Sequence, residues 1–108
     1  MRPFIHPHED EVHLTQIMHA LSDSSRLFVV LELLRLQNQP FDCQTLLPEV
    51  PAATRSHHFK VLRQSGLIES ETVGTRHVSV VREEMLNRKF PGLLLMLKEQ
   101  IGNLEKAN

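Results

Sequence analysis

The stretch Pro51-Ala52-Ala53-Thr54-Arg55-Ser56-His57-His58-Phe59-Lys60-Val61-Leu62-Arg63-Gln64-Ser65-Gly66-Leu67-Ile68 decides how this chain folds. Its spacing predicts a helix over Ala52–Ser65. At about 100° per residue, Phe59 and Leu62 fall on one side, and Ala53, Ser56, His57, Lys60 and Gln64 on the other. Gly66 stands just past the end, where a left-handed residue closes a helix. Directly after it, Leu67–Thr72 and Thr75–Val81 are rich in β-branched residues and joined around Val73-Gly74, which predicts two strands of a hairpin.

Upstream, Asp42 is placed to cap a short helix, Cys43–Glu49, confined by Pro48 and Pro51. Asn38-Gln39-Pro40 reads as a turn. Before it, Arg26–Gln37 is apolar on nearly every side, which marks the central buried helix, with Ser22 or Asp23 as its cap. Leu14, Ile17, Met18 and Leu21 follow helical spacing in a first helix read from Asp10. Glu9, Asp10 and Glu11 suit the positive end of its dipole. Residues 1–9 carry two prolines and no periodicity, so they read as an N-terminal arm, mobile and with incidental histidines. Beyond the hairpin, Glu83–Arg88 reads as a helical turn, Phe90-Pro91-Gly92 as a break and Leu93–Leu104 as a last helix.

Residues 10–108 thus form one domain, mainly α with a small β-hairpin (α+β). It contains a helix-turn-helix at about 42–66, a wing at about 67–81 and a C-terminal helix at about 93–106. Two short helices at a tight turn, followed by a hairpin, describe a winged helix-turn-helix. A chain of 108 residues leaves little room for a second domain. Its single Cys excludes an internal disulfide and fits a reducing, cytoplasmic setting. No secretory signal pattern is visible, and the apolar run Leu93–Leu97 is far too short to span a bilayer.

Net charge is −1, so bulk charge does not point to nucleic acid. Its distribution does. No acidic residue occurs from Val50 to Ile68, while Arg55, Lys60 and Arg63 lie there with His57 and His58. A basic stripe on an acidic protein suits a localised anion-binding face. Small residues at the start of the helix permit close approach to base edges in a major groove. Ser56 and His57 can exchange hydrogen bonds with those edges, and Lys60, Arg63 and the helix N-terminus can hold phosphates. Arg55 falls on the apolar side, where its stem is expected to pack while its head snorkels towards a phosphate. At the hairpin tip, Thr72, Thr75, Arg76 and His77 surround Gly74, with Arg76 the expected backbone or narrow-groove contact. A winged-helix protein-interaction module without DNA binding is the alternative, and it would lack a steep salt dependence of duplex binding. No nucleophile–base spacing, Gly-rich phosphate loop or paired carboxylate signature points to an enzyme.

Two segments carry a family resemblance. Ala20-Leu21-Ser22-Asp23 with Arg26-Leu27 resembles the ALSDxTRL opening of ArsR/SmtB-family repressors. Arg55 to Ile68 resembles that family's SHHLKVLREAGLI recognition segment. The likeness covers roughly residues 14–81. It implies a homodimeric winged-helix repressor on a palindromic double-stranded operator, with the recognition positions on Ala52, Ala53, Ser56 and His57. Together with the residues read above, the expected DNA-binding set is Ala52, Ala53, Thr54, Arg55, Ser56, His57, Lys60, Arg63, Thr75 and Arg76. Dimerisation through first and last helices implies Leu14, Ile17, Met18, Leu93, Leu94, Leu97 and Ile101. Pro51 stands where a capping Ser is common, and Arg55 where a small apolar residue is usual; both bear on which operator is read.

The family's metal motifs are missing. Where arsenic and cadmium sensors carry a CVC pair, Cys43-Gln44-Thr45 keeps one thiol. Residues 93–108 hold neither His nor Asp, the ligands of the zinc and nickel sensors. The resemblance is thus to a subgroup without these motifs. No metal or cofactor is expected, His6, His8 and Cys43 being the remaining candidates, and the residues point to no particular inducer.

Overall fold

The computed structural model describes residues 4–107, with side chains described for 4–102. Helix α2 (Ser24–Arg35) runs through the middle and buries Val29, Val30, Leu31, Leu33 and Leu34. It begins because Asp23, in extended conformation, accepts the backbone N–H groups of Ser25 and Arg26 at 2.8 and 3.1 Å. Those donors have no partner within a helix, and capping them is worth about 1 kcal/mol. The helix ends two residues before the expected Gln37, since Gln37 and Asn38 turn left-handed at φ 60° and 55°, and it starts two residues before the expected Arg26. Asn38 then donates to the Val81 carbonyl and accepts the Val81 N–H, both at 2.7 Å, which docks this turn on the sheet.

Helix α1 is shorter than the sequence pattern suggests. It covers Leu14–Leu21, with extended His13 as its N-cap. The acidic trio Glu9–Glu11 forms a separate 3-10 turn and does not sit on the dipole of α1. Between the two, Val12 is fully buried.

The helix-turn-helix is α3 (Cys43–Leu46) and α4 (Ala52–Ser65). Asp42 caps α3 by accepting the Gln44 N–H at 2.9 Å. Helix α3 stops at Leu46, short of the expected Glu49, because Pro48 disfavours helical backbone at Leu47, which lies at φ −133°, ψ 64°. Helix α4 has the expected bounds and closes on Gly66 at φ 92°. Strands β2 (Ile68–Val73) and β3 (Arg76–Val81) pair antiparallel, and the Val73↔Arg76 pair leaves a two-residue loop with Gly74 at φ 63°. A third strand, β1 (Phe41–Asp42), pairs with the other edge of β3, so the order is β1-β3-β2. Two residues after a proline are too few to show a pattern, and the sequence reading misses it. Helix α5 (Glu83–Lys89) leads into α6 (Leu93–Ala107), whose Leu94 and Leu97 join the core with α2.

From residue 4 on the arm is tied down, contrary to the expectation of a mobile segment; residues 1–3 of that expectation lie outside the described residues. The Ser70 N–H, on the outer edge of β2, donates to His6 Nε2 at 2.9 Å. Arg82 donates to the Pro7 carbonyl at 2.9 Å. Arg88 pairs with Glu9 at 2.8 Å, and Lys89 Nζ donates to the Glu9 carbonyl. An arm so placed covers a strand edge that would otherwise offer free backbone groups.

Burial pushes the His6 pKa below the ordinary value of 6.5; Glu69 opposes this, while Arg82 and Arg63 reinforce it. The neutral ring is the form that accepts the Ser70 N–H. The His6–Ser70 bond is therefore complete above the ordinary histidine range and is lost as pH falls through the lower folded value. The Ser70 amide signal is expected to move on titration from neutral pH into the acid range. In His6→Ala it should start at the acid position and show no such transition.

Candidate nucleic-acid interface

Helix α4 lies on the core through Phe59 and Leu62 and turns its other side outward. Ala52, Ala53, Thr54, Ser56, His57, Lys60 and Gln64 are all exposed, so the small and polar residues of its first half form one open face. Pro51 caps the helix without a side-chain hydrogen bond, which leaves first-turn N–H groups available to an anion. At the wing tip, Thr75, Arg76 and His77 are exposed.

Arg55 is placed otherwise than its reading as a free phosphate arm suggests. Its stem packs as expected, but Nη1 donates to the carbonyls of Val50 at 3.1 Å and Leu47 at 3.4 Å. It braces the α3–α4 turn, whose proline-flanked carbonyls have few other donors. Arg63, also read as a phosphate contact, lies half-buried over the Phe4 ring, 4.4 Å from its centroid. Phe4 in turn meets His77 edge-on at 5.0 Å. Helix α4, arm and wing thus line an open cavity of about 400 Å³. Helix α4 contributes Ala52, Arg55, Ser56, Phe59 and Arg63 to its wall, and the wing contributes Thr75, Arg76 and His77.

The role of one side chain in the family-like segment at residues 20–27 escapes the sequence reading. Arg26, in the first turn of an apolar helix, is 7% exposed. Its Nε donates to the Ala20 carbonyl at 2.8 Å, Nη2 reaches the His19 carbonyl at 3.4 Å, and Nη1 lies 3.1 Å from His58 Nδ1. It therefore satisfies the carbonyl end of α1 and fixes α4 through His58, whose other nitrogen lies 4.0 Å from the Asp23 carboxylate. A cation directly before the apolar run Leu27–Leu31 is the available signal. Arg26→Met keeps helix propensity and bulk but strips these buried acceptors of their donors. It is expected to cost about 3 kcal/mol, read as a lower urea midpoint with unchanged slope.

The residues read as metal candidates stand apart. His6 is engaged by Ser70, and His8 is exposed at the start of the 3-10 turn. Cys43 Sγ lies 3.1 Å from Ser79 Oγ, which lies 2.6 Å from Ser70 Oγ. Burial pushes the Cys43 thiol pKa up, away from the reactive thiolate. Among the described residues no group of three His, Cys, Asp or Glu side chains is close enough to hold a metal ion.

The residues read as a dimer surface divide. Ile17, Leu94 and Leu97 are 0–3% exposed and belong to the chain's own core, which corrects their assignment to an interface. Leu93 and Ile101 are half-buried against that core. Leu14 and Met18 on α1 are exposed as expected, and Leu95 and Met96 on α6 join them, at 45–65% exposure. Among the described residues no helix is long and apolar enough to cross a membrane.

No protein-family model and no curated protein matches the chain. Solved structures do. An ArsR family transcriptional regulator superposes with a TM-score of 0.61 at 22% identity, covering 94% of this chain and 97% of its own. The transcriptional repressor BigR from Xylella fastidiosa gives 0.58 at 19% identity, over 87% of this chain and 84% of its own. A predicted DNA-binding transcriptional regulator from E. coli gives 0.55 at 20% identity, over 87% of each chain. The chain has the winged helix-turn-helix fold of these regulators across most of its length.

Proposed function

We propose that this chain is a sequence-specific, DNA-binding transcriptional regulator of the ArsR/SmtB type, acting in the cytoplasm as a homodimeric repressor. The observation that carries the reading is the open face of α4. Its first half presents Ala52, Ala53, Ser56, His57 and Lys60 to solvent with no acidic side chain on the helix, and Arg76 stands beside it on the wing. A helix that buries its apolar side and exposes small residues at its N-terminal end fits a major groove. The likeness of fold to three transcriptional regulators supports the same reading, as do the two sequence motifs.

In this mechanism Ser56 and His57 read base edges. Lys60, the α4 N-terminus and Arg76 hold the backbone, while Arg55 keeps the turn that aims the helix. Exposed Leu14, Met18, Leu95 and Met96 supply apolar surface for a two-fold partner. A dimer would set its recognition helices about 34 Å apart, in successive major grooves of a palindromic operator. The releasing signal acts by favouring a dimer geometry or rigidity with poor spacing.

The test is a footprint of the purified protein on DNA upstream of its own gene, over a salt series. Two-fold symmetric protection that weakens steeply with salt is expected, since each phosphate contact releases a counterion. Absence of protection at every salt concentration would overturn the reading in favour of a protein-interaction module.

A further inference from the structure

Three guanidinium groups line one cavity, and none of them has a carboxylate partner among the described residues. Arg55 and Arg63 reach the cavity from α4, and Arg76 reaches it from β3. The carboxylates paired with a lysine or arginine lie elsewhere, at Glu32–Arg35, Glu9–Arg88 and Glu83–Lys98. The single carboxylate on the cavity wall, Asp42, is committed to capping α3. Arg63 is the most telling of the three. Burial weakens its hold on its proton, the Cys43 sulfur opposes this, and its charge rests over the Phe4 ring. A partly desolvated cation without an anion leaves unused the interaction that guanidinium makes best, a two-pronged grip on an oxyanion. The cavity, at about 400 Å³, has the size of a small-ligand site, and Phe4 gives it an apolar wall.

We infer that this cavity seats a phosphate ester, its oxyanion held by Arg63 and Arg76 and its apolar or aromatic body against Phe4. The ester comes either from the DNA backbone or from a free phosphorylated small molecule. Ala52, Ser56 and Arg76 line the same cavity and belong to the proposed DNA face. A free ester there and duplex DNA would exclude one another, so release would follow from competition at the interface itself. This last step rests on the DNA-binding reading; the oxyanion seat does not.

Phenyl phosphate is the probe, titrated into the full chain by calorimetry, with phenol and inorganic phosphate as its two halves. Saturable binding of phenyl phosphate, tighter than either half, is expected. Arg63→Gln should weaken it about tenfold and Arg76→Ala several-fold. Arg76 is exposed, so an unchanged melting curve for Arg76→Ala separates lost binding from lost folding. In the second arm, duplex from the footprinted region is added to the complex. Mutual displacement supports both sources. Duplex binding without phenyl phosphate binding, with a salt slope reduced by about one in Arg76→Ala, assigns the seat to the DNA backbone. Saturable phenyl phosphate binding without duplex binding upholds the seat and removes the DNA reading. Binding of neither ligand that depends on Arg63 or Arg76 overturns the inference.

Discussion

Gly66→Ala is expected to destabilise the domain by about 3 kcal/mol, enough to lower the melting temperature by roughly 10 °C or more. Two costs add. At φ 92° an L side chain is strained, by about 1–2 kcal/mol. The added methyl would also stand 2.5 Å and 3.0 Å from the two γ-carbons of Val12, which is itself fully buried and has nowhere to go. Gly74 separates these terms. It too has positive φ, at 63°, but its Cβ would meet nothing within 4 Å. Gly74→Ala should therefore lose only the backbone part, about 1 kcal/mol. Urea denaturation of both variants checks the pair, and equal losses would show that the Val12 contact costs nothing.

Lys60→Glu is expected to weaken binding to the footprinted duplex by about a hundredfold at low salt, with wild-type stability. Lys60 is exposed on the open side of α4 and makes no ion pair among the described residues, so its replacement leaves the fold as it is. Removing its charge gives up one phosphate contact, which lowers the logarithmic salt slope by about 0.9. Reversing the charge adds repulsion from the same phosphate. Lys60→Ala should therefore fall between wild type and Lys60→Glu, and the gap between variants should close as salt rises. Anisotropy titrations across a salt series measure both effects. Wild-type affinity in Lys60→Glu at low salt would remove α4 as the recognition element.

Where the sequence is punctuated, it can be read to the residue. Pro51 and Gly66 bracket α4, and its bounds are legible because one cannot continue a helix backwards and the other closes it. Asp42 announces the start of α3 by the same logic and caps as expected, while of the two candidates Ser22 and Asp23 it is Asp23 that caps α2, which starts at Ser24 and not at Arg26. Elsewhere one pattern serves two structures. Glu9–Glu11 would suit the start of a helix, yet they form their own turn because extended Val12 and His13 intervene. Residues 93–97 are apolar at every position, so periodicity cannot separate the inward Leu94 and Leu97 from the outward Leu95 and Met96. At the site, local sequence marked the outward face of α4 and the basic wing tip. It could not show that Phe4 would lie beneath Arg63, that Arg55 would turn to the Val50 carbonyl, or that Arg26 would be buried. Two of these facts depend on distant segments, which bring Phe4 to Arg63 and His58 to Arg26; the partners of Arg55 are near, but no pattern encodes its rotamer.

The sheet order β1-β3-β2 has an engineering consequence. Strand β1 enters α3 directly, and β2 begins just after Gly66, so both ends of segment 43–66 are pinned to opposite edges of β3. Across the sheet those edges lie about two strand spacings apart, roughly 10 Å, and the register sets Asp42 beside Val78 but Ile68 beside Val81, three residues further along β3. The segment is an insert with fixed terminals, held to the core by Cys43, Leu46, Leu47, Phe59 and Leu62. Its outward positions can be exchanged as a cassette between proteins of this topology without resetting the wing.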